Sequence, residues 1–161
     1  MAFIEYEFNF SGTQGTPPAN GTPQAIASNS ATNSSNIYDA GSAKWLFAGG
    51  AGRGPKLSVE ILKTTLGTSP TMTVQFVGAD DAALTSNVIT IVQFGPTRVL
   101  TAADFPMHLE AVIPGQIDKK RYYGIIYTIG GSGSPSYGFN ANIVADSQSS
   151  GTGSGGANLQ P

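Results

Sequence analysis

Between Asn36 and Ala145 the chain is a succession of short runs in which apolar and polar side chains alternate, each run bounded by Gly, Pro, Asn or Asp. In KLSVEILKT, Leu57, Val59 and Ile61 alternate with Ser58 and Glu60; in TMTVQFVG, Met72, Val74 and Phe76 alternate with Thr71, Thr73 and Gln75. Successive side chains of a strand point to opposite faces, so a period of two marks a strand with one buried face. The same pattern recurs in Met107, Leu109, Ala111 and Ile113, in Tyr123, Ile125, Tyr127 and Ile129, and in Tyr137, Phe139, Ala141 and Ile143. NVITIVQF differs: Val88, Val92 and Phe94 oppose Ile89 and Ile91, so both faces are apolar, as in a central strand. Good helix formers never recur at helical spacing over three turns, and only TAADFP, with Thr101 in a capping place, reads as a helical turn. About eight short strands with turn signals between them predict an all-β fold, an antiparallel β-sandwich or jelly roll.

The first ten residues, MAFIEYEFNF, are also a strand by pattern, with Ile4, Tyr6, Phe8 and Phe10 on one face and Glu5, Glu7 and Asn9 on the other. From Ser11 to Asn36 the composition turns to Ser, Thr, Asn, Gly, Pro and Ala without periodicity, which reads as a tether. The expected organisation is an arm strand and flexible tether over residues 1–36, a jelly-roll domain over 37–146, and a flexible Gly/Ser-rich tail over 147–161. An exposed apolar strand recruits other chains, so Phe3, Ile4, Tyr6, Phe8 and Phe10 are the candidate partner-binding residues. The alternative is that this strand folds back onto its own domain.

Composition narrows the chemistry. Charged residues are 11% of the 161, against about 25% in an average protein, and the net charge of -2 offers no general attraction to phosphates. Nucleic acid is not an expected partner. With no cysteine, the fold lacks disulfides, thiolate catalysis and Cys-ligated metal. No stretch approaches the roughly 18 to 20 apolar residues of a membrane span, and Glu5 and Glu7 interrupt any leader-like start. A soluble product made in the cytoplasm is expected.

Catalytic motifs are scarce. The one histidine, His108, lies in an alternating strand with Glu110 on its face, without a nucleophile elbow to complete a triad. The glycines of GGAGRGP precede a strand rather than a helix, so they read as a surface loop carrying Arg53 and not as a phosphate loop. Asp80 and Asp81, with Asp39 or Asp118, are too few for the six to eight oxygens of a calcium site and read as turn residues. Lys119, Lys120 and Arg121 either meet an acidic partner or keep a turn wet, and with Arg53 they form the candidate basic interface. Tyr122, Tyr123 and Tyr127 could make a sugar platform, but Tyr123 and Tyr127 share a strand face and are expected to pack in the sandwich. The reading is of a non-enzyme without metal or cofactor.

Asn36–Gly41 (NIYDAG), the Gly-rich loop running to Pro55 and a strand (Gly49–Leu57), Thr73–Phe76 (TVQF) and Arg121–Gly131 (RYYGIIYTIGG) together resemble the small jelly-roll capsid cement, or decoration, proteins of tailed bacteriophages. The resemblance spans about two thirds of the chain. It implies a structural protein on the outer surface of a phage head, assembled in the host cytoplasm, often a homotrimer, that clamps neighbouring major capsid protein subunits. The competing expectation is a carbohydrate-binding sandwich displayed on a virion.

Overall fold

The computed structural model describes residues 8–12, 22–27, 31–41, 55–95, 99–114 and 119–144. Among these, ten strands occur in chain order: β1 Phe8–Ser11, β2 Gln24–Ala27, β3 Ala31–Asn33, β4 Tyr38–Asp39, β5 Lys56–Thr65, β6 Thr68–Ala79, β7 Ile89–Phe94, β8 Met107–Val112, β9 Tyr122–Ser132 and β10 Ser136–Val144. No described segment is α-helical; Ala102–Asp104 forms one 3-10 turn, closed by the Asp104 carboxylate, which accepts from the N–H and hydroxyl of Thr101. No helix among the described residues is long and apolar enough to cross a membrane.

The strands form two antiparallel sheets packed face to face. In one, β1 and β2 share a lane beside β10, followed by β5 and β8; in the other, β3 and β4 share a lane beside β9, followed by β6 and β7. Counted as lanes, the first pairs with the last, the second with the seventh, the third with the sixth and the fourth with the fifth. That nesting is the jelly-roll arrangement, with eight lanes as the alternation suggests.

The core follows the period-two pattern. Leu57, Val59 and Ile61 face Met72, Val74 and Phe76 across the sandwich, and β9 and β10 contribute Tyr123, Ile125, Tyr127, Ile129, Tyr137, Phe139, Ala141 and Ile143, all buried. Loosely alternating β7 is resolved by a bulge. Phe76 pairs with Val92 but Val77 pairs with Thr90, so an extra residue on β7 lets consecutive Ile91 and Val92 both pack on the core. The strand that looks central in sequence is in fact the last lane of its sheet.

Two expectations about the first 36 residues are corrected. β1 pairs with β10 of its own chain through Phe8 opposite Ile143 and Asn9 opposite Asn142, and the Phe10 side chain is fully buried, edge-on to Phe76 at a centroid distance of 5.5 Å. Phe10 is therefore a core residue and not a partner-binding one. The stretch expected as a tether supplies β2 and β3, so the sandwich begins at β1 and not at residue 37. Phe3, Ile4 and Tyr6 lie outside the described residues, as do Trp45, Leu46, Phe47 and the 147–161 tail.

Polar side chains substitute for missing ladder bonds in this segment. The Ser34 hydroxyl accepts from the Ile125 N–H at 3.0 Å and donates to the Asn36 carbonyl at 2.9 Å, while the Ser34 N–H donates to Ile125 O at 2.7 Å. The Gln24 amide donates to Asn33 O at 2.9 Å and accepts from the Ser35 N–H at 2.8 Å, which joins the β2 lane to the β3 lane across the corner of the sandwich.

Because Phe10 closes the core beside Phe76, Phe10→Ala is expected to cost about 3–5 kcal/mol. Urea unfolding checks this, and the loss should not depend on protein concentration, as it would if Phe10 were buried against a neighbouring chain.

Candidate functional site

The basic run just before β9 is largely engaged within the chain. Lys120 Nζ lies 3.0 Å from Asp80 Oδ1 with its side chain only 14% exposed, and its backbone N–H donates to the Tyr123 hydroxyl at 2.8 Å. Arg121 makes a two-pronged pair with Asp39, Nε to Oδ1 and Nη2 to Oδ2, each 3.0 Å, and lies 4.9 Å above the Tyr122 ring. Arg121 holds the Asp39 carboxyl below the ordinary carboxylate range, helped by the Gly41 N–H. These pairs clip β4 and the 80–88 loop to the start of β9, where the register places Asp39 opposite Tyr122. Of the four expected interface cations, Lys119 is exposed, Lys120 and Arg121 are occupied, and Arg53 lies outside the described residues.

Asp80 and Asp81 organise the connection between β6 and β7. Asp81 Oδ1 accepts from the Thr85 and Ser86 N–H groups at 2.9 and 2.7 Å, and Oδ2 accepts from the Thr85 hydroxyl at 2.7 Å. These donors, Ser86 first, hold the Asp81 carboxyl below its usual range. Asp80 receives the Asn87 amide at 2.7 Å and Lys120. A cation would have to compete with these loop donors, and no group of three or more His, Cys, Asp or Glu able to hold a metal occurs among the described residues. The acids build a loop that folds back over its own sheet. Leu84, at φ 56°, packs with Val77 and Ala79 beside Ile37, Tyr122 and Ile126, a second small core on the outer face. Gly124 leaves room beneath it, because a Cβ there would come within 2.7 Å of both Ile37 Cδ1 and Leu84 Cδ1 and those side-chain ends would have to shift.

The opposite outer face, on the β1–β10–β5–β8 sheet, is polar in rows. Asn9, Asn142, Ser58 and Glu110 stand in one cross-strand register, and Asn140, Glu60 and His108 in the next. Alternation in the sequence shows which side chains share a face of each strand, but only the strand order brings these rows together. Asn140 donates to Glu60 Oε2 at 3.0 Å. His108 Nε2 lies 3.1 Å from Glu110 Oε1 and 3.4 Å from Ser58 Oγ. A catalytic triad needs the hydroxyl and the carboxylate on opposite ring nitrogens, so that the base can pass a proton while the acid holds the tautomer. Here both contacts fall on the same nitrogen, and the three residues are a surface hydrogen-bond cluster.

Of the tyrosines weighed for an aromatic platform, Tyr123 and Tyr127 are fully buried; Tyr137 is buried as well and stacks on Phe105 at 5.1 Å. Tyr122 is half-buried under Arg121. Comparison with protein-family models, curated proteins and solved structures finds no match to this chain.

Asp39 and Asp81 both have folded-state pKa values below their unfolded ones, so their contribution is present above about pH 4 and is lost as pH falls through the folded values. The urea midpoint should drop between about pH 5 and about pH 2, and Asp81→Asn should flatten part of that drop while lowering stability near neutrality. An Asp81→Asn profile parallel to that of the unaltered protein would contradict the assigned role.

Proposed function

We propose that this chain is a non-enzymatic structural protein of a tailed-phage virion, which binds the outer surface of the assembled head as a homotrimer and stabilises it by clamping neighbouring major capsid protein subunits. The observation that carries this reading is where the resembling stretches fall. Asn36–Gly41 contains β4, Arg121–Gly131 lies almost wholly in β9, and Thr73–Phe76 lies in β6, so three of the four stretches are adjacent lanes of one sheet. They meet through Tyr38 opposite Tyr123 and Phe76 opposite Ile125. Stretches scattered over the sequence thus belong to one scaffold element, as expected of a resemblance at the level of fold.

The surface chemistry supports the same reading. The acids and bases with defined partners hold loops and strands in place, and the His108 cluster lacks the geometry of a proton relay. The carbohydrate-binding alternative depends on exposed aromatic rings; of the tyrosines weighed for it, Tyr123 and Tyr127 are buried in the core and Tyr122 is half-buried under Arg121. A rigid, disulfide-free sandwich acts on a capsid by mass action: each copy bound to the closed shell lowers its free energy relative to open or dissociated states.

The test is addition of the purified protein to heads assembled without it. Co-sedimentation that saturates at a fixed ratio to the major capsid protein, with heads surviving to a higher temperature, is the expected result. Failure to sediment with heads in large molar excess would contradict the proposal.

A further inference from the structure

The loop between β6 and β7 is fastened to the outer face of its sheet by one buried side chain. Of residues 80–88, Leu84 is 3% exposed and Asp81 is half-buried, while the rest are exposed. Leu84 sits over Gly124 in a pit walled by Val77, Ala79, Ile37, Tyr122 and Ile126, apart from the main core between the sheets. Its backbone, at φ 56°, is in the left-handed region that favours glycine, and Asn87 follows at φ 47°. A loop strained in this way stays closed only because of what it touches.

Opening it leaves the sheets intact. Gly78 and Ile89 are the last pair between β6 and β7, and Val77, Gly78 and Ala79 are paired on their other side with Gly124, Tyr123 and Tyr122. Lifting residues 80–88 therefore breaks no strand pairing and dissolves only the small cluster around Leu84, so the loop is a separate opening unit.

The bonds that hold it shut converge on two carboxylates. Asp81 accepts from the Thr85 N–H and hydroxyl and from the Ser86 N–H, which shapes the loop around Leu84. Asp80 accepts from the Asn87 amide and pairs with Lys120 Nζ, a link to the body of the protein at the start of β9. A second link carries no charge: the Asn33 amide on β3 donates to Ala83 O at 2.9 Å. Of the other charged groups on the elements packed against the loop, Arg121 is held by Asp39 at the end of β4 and Lys119 is exposed; Tyr122 and Tyr123 present uncharged phenols. A carboxylate that takes up a proton loses its charge and part of its capacity to accept, so acid removes the shape of the loop and its Lys120 link together. The donors around Asp81 hold its carboxyl below the ordinary range, so this support is present above about pH 4 and is lost as pH falls through the folded value. Among the described residues, no carboxylate is buried in the sandwich itself.

We propose that residues 80–88 are an acid-released lid: as Asp80 and Asp81 take up protons, the loop lifts off Gly124 as a unit while both sheets stay paired, uncovering the apolar patch of Val77, Ala79 and Ile126. The device is independent of what the protein binds.

Methyl NMR of the full chain from about pH 7 down to about pH 2, with a hydrophobic dye added in parallel, tests it. The Leu84 methyl signals should lose their buried positions and the dye fluorescence should rise while the Ile125, Ile129 and Ile143 methyls keep theirs. In the double variant Asp80→Asn, Asp81→Asn the lid should stand open already at neutral pH. Asp39→Asn, which loosens the β4 clip instead, should leave the Leu84 transition where it is. Four results would overturn the proposal: Leu84 signals that hold until the core signals collapse, a double variant with Leu84 still buried at neutral pH, a double variant whose core signals are lost as well, or a Leu84 transition that moves with Asp39→Asn.

Discussion

One side chain, Tyr127, ties the two sheets and the first strand together. From β9 in one sheet, its ring lies 4.2 Å from that of Phe139 on β10 in the other, and its hydroxyl meets Ser11 Oγ on β1 at 2.6 Å. Both groups are buried, and a buried hydroxyl without a partner costs about 1–3 kcal/mol, so each requires the other. Burial pushes the Tyr127 hydroxyl far above the ordinary tyrosine range, which keeps it neutral and able to donate. The two strands it bridges are the second lanes of their sheets, and β1 to β6 all pair with one or other of them. Much of the remaining geometry, including the seating of Phe10 against Phe76, follows from this anchor.

Outward from that anchor, the two faces diverge for physical reasons. On the β9 side, an acidic loop locked by Asp81 and Lys120 folds Leu84 over Gly124, so the outer face gains a second apolar layer and is closed. On the β10 side nothing described folds back, and most outward positions carry Asn, Ser, Glu and His in registered rows, with Val112 exposed at the end of β8. Charge is sparse in this protein, and where it has defined partners it serves geometry more than solubility. Exposed pairs of this kind are screened by solvent and contribute little to stability, so their consequence is the placement of strand ends.

The strands from Lys56 onward were legible because their buried faces repeat every second residue over six to twelve positions. The first lanes were not. β2 and β3 bury little besides Ile26 and are held by pairing with β10 and β9 and by the amides and hydroxyls of Gln24, Ser34 and Ser35, residues that read as turn formers when no partner strand is in view. β7 misled in a different way, because a one-residue bulge puts two neighbouring apolar residues on one face and imitates a strand buried on both. The KKR cluster and the paired aspartates showed their charges in the sequence, but their mutual pairing over 40 and 82 positions did not. Long-range pairing is a property of lane order, and alternation within a strand carries no information about it.

The account rests on β1 to β4 being part of the sandwich rather than a leash in front of it. Amide hydrogen exchange measures this most directly. The Ser34 N–H, bonded to Ile125 O, and the Asn36 N–H, bonded to Phe10 O, should be protected to the same order as amides in the body of β9. Exchange of both at the rate of an unstructured chain, with β9 still protected, would contradict it.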